Sequence, residues 1–204
     1  MLLLAFDTAA DVATVALVDG ERALGERSTS PGRLLVEIES LLSEAQVART
    51  GIEGIAVGIG PGRYTSLRMG LVTARTLSFA LGVPVAGVST LETLAAGAPG
   101  SLPVVDARRR EVFTLVDGEP VCLDPGALAP GHGRLCVGDG AVRYRAALEA
   151  AGAVVPADDD RRHVPHARLL ARLARTFGPA EAAEPIYLRA PDADRALARK
   201  RESG

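Results

Sequence analysis

The sequence predicts an α/β protein made of two duplicated lobes, the second reduced, and three observations carry that prediction. The chain opens on a three-stranded meander and then alternates helices and strands. The stretch Leu3–Glu21, LLAFDTAADVATVALVDGE, returns as Ser101–Glu119, SLPVVDARRREVFTLVDGE. Further on, Val57–Tyr64 (VGIGPGRY) returns without a gap as Val137–Tyr144 (VGDGAVRY). Two matched segments in the same order argue for duplication better than either alone. A meander followed by alternating helices and strands, run twice, is the layout of paired ribonuclease-H-like lobes.

LLLAFDT starts the first strand, and DVATVALVDG alternates into a second that closes on an Asp19-Gly20 turn. RALGERST reads as the third. The next segment, Arg33–Val47, is helical, with Leu34, Leu35, Ile38, Leu41, Leu42 and Ala45 on one stripe and Glu37, Glu39 and Glu44 off it. IEGIAVGIG is a continuous apolar strand of the kind found inside a sheet. A glycine loop follows, then a helix over Thr65–Leu81 that Gly82 and Pro84 terminate. VPVAGVS and Thr90–Ala96 add a strand and a helix. Pro99–Leu102 is the natural joint, which sets the lobes at residues 1–98 and 99–190. The second copy lacks a long helix between its meander and its glycine loop. It ends on an amphipathic helix, Ala167–Phe177, and a short apolar segment, Pro185–Arg189, expected to dock. Residues 191–204 read as a charged, Ala-rich flexible tail. Such paired lobes are the architecture of the actin, Hsp70 and sugar-kinase superfamily.

Composition removes several classes of function. Of 204 residues 48% are hydrophobic and 24% charged, ordinary values for a globular chain with a sizeable core. The formal net charge is −2, so the surface as a whole does not favour nucleic acid. Lys200 is the sole lysine, and positive charge is otherwise arginine. Met1–Phe6 is too short for a signal-peptide core, and no run approaches eighteen uninterrupted apolar residues; a cytoplasmic protein without a membrane span is expected. Cys122 and Cys136 lack zinc or redox spacing and read as buried reduced thiols.

Candidate chemistry centres on two turns. Asp7, at the end of the first strand and beside Thr8, stands where the superfamily sets a carboxylate facing metal and phosphates. Asp-x-Gly is the usual company there, because a residue without Cβ lets backbone N–H groups close on phosphate. Here alanines follow, and Asp106, the counterpart, precedes ARRRE. Asp7 and Thr8 are therefore vestigial cofactor-binding candidates, with a structural role for their side chains favoured. VGIGPGRYTSLRMG lacks the Lys-Ser/Thr of a Walker A loop, and its glycines miss the dinucleotide spacing. A tight turn holding Pro61 and opening a capped helix accounts for it. That helix has Leu67, Leu71, Ala74, Ser78 and Leu81 on one side, yet Met69, Val72, Thr76 and Phe79 on the other. A helix apolar or small nearly all round needs cover on two faces, which points to a protein interface or to burial within the chain. His163 and His166 are split by Pro165, and His132 lies in a Pro/Gly-rich loop, so no metal site is expected.

At GIGPGRYTSLRMGL the chain becomes specifically similar to one family. Gly58, Gly60, Pro61, Gly62, Arg63, Tyr64, Thr65, Ser66, Leu67, Arg68 and Gly70 match its pattern, with LAFDTA, VVDARRREVF and PIYLR elsewhere. The chain from Met1 to about Arg189 resembles the TsaB (YeaZ) family, accessory proteins of bacterial tRNA threonylcarbamoyladenosine synthesis. The resemblance implies a non-catalytic scaffold that binds no cofactor or metal of its own. Its partners would be a catalytic TsaD-like subunit, which carries the metal-binding histidine pair, and a TsaE-like ATPase, with tRNA reached through the complex. It implies a partner interface on Leu34, Ile38, Leu41, Leu42, Thr65, Leu67, Arg68, Leu71 and Ala74, a surface a homodimer would also use. Ser30-Pro31-Gly32-Arg33 departs from the His-Ser pair usual before the first helix. The rival reading is a stand-alone enzyme, kinase-like with ATP or glycoprotease-like.

Overall fold

Two sheets with one strand plan organise the chain, in a computed structural model that describes residues 1–189. The first sheet holds β1 (Leu2–Asp7), β2 (Ala13–Asp19), β3 (Arg22–Thr29), β4 (Gly54–Gly58) and β5 (Val85–Val88) in the order β3-β2-β1-β4-β5. β1 runs antiparallel to β2 and parallel to β4. The second holds β6 (Leu102–Arg108), β7 (Glu111–Val116), β8 (Glu119–Leu123) and β9 (Cys136–Val137) in the order β8-β7-β6-β9, again antiparallel through the meander and parallel across β6–β9. The repeat seen in the sequence is thus a repeat of topology, and the expected α/β fold of two ribonuclease-H-like lobes is the observed one.

Strand alternation decides what covers each face of the first sheet. Leu4 and Phe6 of β1, Val15 and Leu17 of β2, and Ile55 and Val57 of β4 point to one side. There α1 (Leu34–Glu44) lies over β2 and β3, and α2 (Tyr64–Leu81) over β4 and β1. Leu3, Ala5, Ala16, Val18 and Ala56 point to the other side, covered by Ala167, Leu170 and Ala171 of the helix at Ala167–Leu173. Small residues dominate this second layer, so that helix sits close to the sheet.

Among the described residues the remaining α-helices are α3 (Thr90–Gly97), α4 (Asp139–Arg143), α5 (Arg145–Ala150) and α6 (Ala167–Leu173). Leu91 and Leu94 of α3 pack under Val105, Ala107 and Phe113 of the second sheet. α6 packs on β1 and β2 of the first, so each half of the chain covers a sheet of the other. Glu26 on β3 fastens α6. Its carboxylate accepts the Arg168 N–H at 3.0 Å, pairs with the Arg168 guanidinium at 2.5 Å and meets His166 Nδ1 at 3.1 Å.

Helix ends differ from expectation where the chain needs another partner. α1 stops at Glu44 rather than Val47, because Gln46 is left-handed (φ 54°) and Val47 N–H returns to Leu42 O at 2.9 Å. α6 stops at Leu173 rather than Phe177, since extended backbone is needed for Gly178 to exchange both bonds with Val85. α2 starts at Tyr64 without a side-chain cap; its entry is fixed by Arg63 N–H on Ala9 O at 2.8 Å. Its end follows expectation, with Gly82 at φ 69°. Cys136 is buried, which pushes its thiol up to about 11, and Cys122 is only half-buried. The expected tail, 191–204, lies outside the described residues.

Candidate functional site

The glycine loop lies packed against the β1–β2 turn. A Cβ at Gly58 would fall 2.3 Å from the Asp7 carboxyl, and one at Gly62 would fall 2.3 Å from Ala9 O. Those glycines admit protein atoms where a phosphate loop would admit a ligand. The Gly60–Pro61 peptide is cis. The second lobe repeats the device: a Cβ at Gly138 would meet Val104 O at 2.2 Å. Asp7 is wholly buried and accepts the Ala9 N–H and the Thr90 hydroxyl, each at 2.7 Å. Thr8, also buried, donates to Ser66 O at 2.7 Å and so ties the turn to α2. These contacts give both vestigial candidates structural work.

Carboxylates and arginines join the two lobes beside this turn. Asp139, at the start of α4, accepts the Asp106 N–H at 2.9 Å and, from the first lobe, the Asp11 N–H at 3.0 Å. The Asp11 carboxylate in turn meets the guanidinium groups of Arg63 and Arg108. Burial raises Asp7 from an ordinary 3.8 to about 6 against the pull of its two hydrogen bonds, and the charge of Asp139 adds to the rise. Burial does the same for Asp139, which also reaches about 6, helped by the charge of Asp106. Among the described residues no group of His, Cys, Asp and Glu is placed to hold a metal ion. His163 is buried. Its Nδ1 accepts the Gly138 N–H at 3.1 Å, which leaves Nε2 protonated to donate to Pro156 O at 3.3 Å.

The nine residues expected at a partner interface divide sharply. Leu34, Ile38, Leu41 and Leu42 of α1, with Leu67, Leu71 and Ala74 of α2, are all buried in the first lobe's own core. They are not available to a partner, because β1, β2 and β4 supply the apolar surface that these helices need. Only Thr65 and Arg68 are exposed. The outward faces of the two helices carry a different set: Leu35 is 57% exposed, Val36 53%, Val72 61% and Phe79 92%. Since α1 and α2 cover the same side of one sheet, these outward faces are neighbours. On the second face of α2, Val72, Thr76 and Phe79 are thus exposed among the described residues, while Met69 is half-buried. The sequence carried that signal in Val72 and Phe79, while Leu35 was misplaced on the inward stripe.

A second grouping was not foreseen, although Arg63 and Tyr64 of the motif and the docking segment Pro185–Arg189 all contribute to it. The start of α2, the β6–β7 turn and residues 187–189 line a cleft of about 530 Å³ that contains Arg63, Arg108, Arg109, Arg189, Tyr64 and Tyr187. Pro185–Arg189 docks as expected: Ile186 N–H reaches Ile59 O at 2.9 Å, Leu188 joins the α3 layer, and Tyr187 packs on Tyr64 with ring centroids 5.6 Å apart. Arg68 lies over the Tyr64 ring at 4.7 Å and donates to the Tyr187 hydroxyl at 3.2 Å. The run ARRRE was the available sign.

Comparisons with known proteins agree with this architecture. A family model described as TsaD, tRNA N6-adenosine threonylcarbamoyltransferase, matches residues 31–123. The chain is 32% identical over 205 residues to an uncharacterized protein of Mycobacterium tuberculosis, covering 94% of this chain and 93% of that one. It is 35% identical over 123 residues to the tRNA threonylcarbamoyladenosine biosynthesis protein TsaB of Bacillus subtilis, a match spanning 56% of this chain and 54% of that protein. The solved structure of YeaZ from Pseudomonas aeruginosa superposes with a TM-score of 0.74 at 31% identity, over 92% of this chain and 99% of that one. With the GIGPGRYTSLRMG motif lying where the loop meets the Asp7 turn, and the fold shared over nearly the whole length of both chains, this protein belongs to the TsaB (YeaZ) family.

Proposed function

We propose that this chain is the non-catalytic activating subunit of the machinery that forms N6-threonylcarbamoyladenosine in tRNA, and that it docks a TsaD-like catalytic subunit on the outward face of α1 and α2. The observation that carries the reading is the apolar outer face of α2. Phe79 and Val72 stand in solvent on a helix whose other side already fills the lobe core. A patch of this kind on a folded domain marks a contact surface. Thr65 and Arg68 border it, and Leu35 and Val36 extend it onto α1. Relatives named for tRNA threonylcarbamoyladenosine biosynthesis and the overlap with a threonylcarbamoyltransferase family support the pathway and the kind of partner.

A scaffolding role also suits the Asp7 turn. Its carboxylate is engaged by Ala9 and Thr90, and the glycine loop is packed onto it. In this reading the chemistry belongs to the partner, a TsaE-like ATPase joins the pair, and tRNA is met through the assembly. Reconstitution tests it. The chain with a TsaD-like subunit, a TsaE-like ATPase, threonylcarbamoyl-adenylate and tRNA should give modified tRNA, while omission of the chain should abolish it. The chain alone should neither modify tRNA nor hydrolyse ATP. Turnover by the isolated chain, or full modification without it, would overturn the proposal. Native mass determination separates the heterodimer from a second copy of this chain on the same face.

A further inference from the structure

On the docking reading above, we infer that Arg68 and Arg75 select the partner of this face, and that the partner presents an apolar helix surface flanked by two carboxylates about 10 Å apart. Arg68, Val72, Arg75 and Phe79 follow one another along α2 at intervals of four, three and four residues, so they share one narrow stripe of its surface. All four are exposed. The two arginines bracket Val72, and Phe79 lies one turn beyond Arg75.

Among the described residues neither arginine meets a carboxylate. Arg68 lies over the Tyr64 ring at 4.7 Å, and its Nε donates to the Tyr187 hydroxyl at 3.2 Å. Arg75 donates to Ala183 O at 3.3 Å. These contacts steady both side chains without neutralising them, so less freedom is lost when a partner takes them up. A guanidinium can meet a carboxylate through two parallel N–H groups. Phosphate would satisfy the same donors, but a nucleic-acid backbone would leave Val72 and Phe79 in water. The apolar residues of the stripe therefore call for a protein surface.

A second copy of this chain brings no uncommitted acid to the stripe. On α1, Glu37 meets Arg33 at 3.3 Å and Arg27 at 3.7 Å. Glu39 holds Arg49 through two bonds of 2.8 and 2.7 Å, and Glu44 pairs with Arg27. In a two-fold pair, α2 on α2 would set arginines against arginines, while α2 on α1 would only exchange one ion pair for another. Leu35 and Val36 extend the apolar area of the face and add no charge. A different chain that carries its own acids is what this face fits.

The full chain and a TsaD-like subunit would be mixed in stopped flow and titrated calorimetrically, at low and at raised salt. Association of the parent protein should slow as salt rises. Arg68→Glu combined with Arg75→Glu should slow association at least about tenfold at low salt and reverse its salt dependence. Arg68→Lys combined with Arg75→Lys keeps both charges and should restore the parent rate to within about threefold. Both positions are exposed, so both double variants should melt like the parent protein. Phe79→Ala, in contrast, should act chiefly on dissociation. A glutamate variant that associates like the parent with the same salt dependence would overturn the inference. So would a lysine variant as slow as the glutamate one, which would trace the effect to shape instead of charge. A homodimer of this chain, seen by native mass determination and dispersed by the same charge reversal, would assign the arginines to a second copy and overturn it as well. If Phe79→Glu with Val72→Glu abolishes the complex while the arginine variants leave it intact, this inference fails and the docking face stands; if none of them weakens the complex, both fail.

Discussion

Replacing Asp7 by Asn should remove a loss of stability that the parent protein undergoes between about pH 4 and pH 7. In the folded chain this carboxyl is wholly buried, and burial outweighs its bonds to Ala9 and Thr90, so its pKa rises from 3.8 to about 6. The unfolded chain releases the same proton near pH 4. Between those values the native state binds more protons than the unfolded state, so the free energy of unfolding falls as pH rises. At roughly 1.4 kcal/mol per pKa unit, the loss is about 3 kcal/mol, complete above about pH 7. Asp139, raised to about 6 chiefly by burial, acts in the same window and with the same sign. Asn at position 7 keeps an oxygen for the Ala9 N–H and sets an NH₂ before the Thr90 hydroxyl oxygen, with no charge to desolvate. Urea unfolding from about pH 4 to pH 8 should therefore show the two proteins within about 1 kcal/mol at the acid end. The gap should widen by about 3 kcal/mol in favour of the variant at neutral pH. Parallel profiles would refute the argument that Asp7 is a buried structural acid.

Other packing statements have equally direct consequences. Gly70→Ala sets a methyl 2.3 Å from the Thr8 hydroxyl oxygen and should cost about 1–3 kcal/mol; combining it with Thr8→Ala should cost less than the sum, measured by thermal unfolding in a double-mutant cycle. Leu71→Ala removes a side chain from the first lobe's core and should lower unfolding free energy by about 2–5 kcal/mol in urea titration. Glu26→Gln weakens the hold of β3 on α6. Burial opposes the charge on Glu26, but His166 and Arg168 win and hold its pKa below 4.5. Its contribution is therefore present above the unfolded value and lost as pH falls, so the variant should lower stability by about 1.5–3 kcal/mol at neutral pH and by less in acid.

Local pattern carried the fold further than it carried the site. The alternation of Leu4 and Phe6 against Leu3 and Ala5, the turn at Asp19-Gly20 and the Gly82 cap are short-range signals, and each element stands near where those signals set it. The crossing of α3 and α6 depends on which sheet face is left bare, a tertiary matter that no periodicity encodes. The same limit governs α2. Both its faces are apolar enough to bury, and only the presence of Thr8 beside Gly70 and of Leu67 in the core decides that Val72 and Phe79 face outward. Leu34, Ile38, Leu41, Leu42, Leu67, Leu71 and Ala74, expected at an interface, were therefore drawn to the core. The cleft was less legible still. Arg63, Arg109 and Tyr187 are far apart in the chain, and ARRRE attracts notice first for the glycine it lacks, although its arginines were in plain view.

The proposed docking face admits the most direct measurement. Phe79 is 92% exposed, so Phe79→Ala should change the stability of the isolated chain by no more than about 0.5 kcal/mol. Burying that ring against a partner is worth about 1.5–3 kcal/mol, so the same variant should bind a TsaD-like subunit roughly 10- to 150-fold more weakly in isothermal titration. Phe79→Glu, combined with Val72→Glu, should abolish the complex while the variant melts as a folded protein. Undiminished affinity in both variants would contradict the claim that the outward face of α2 is where this chain meets its catalytic partner.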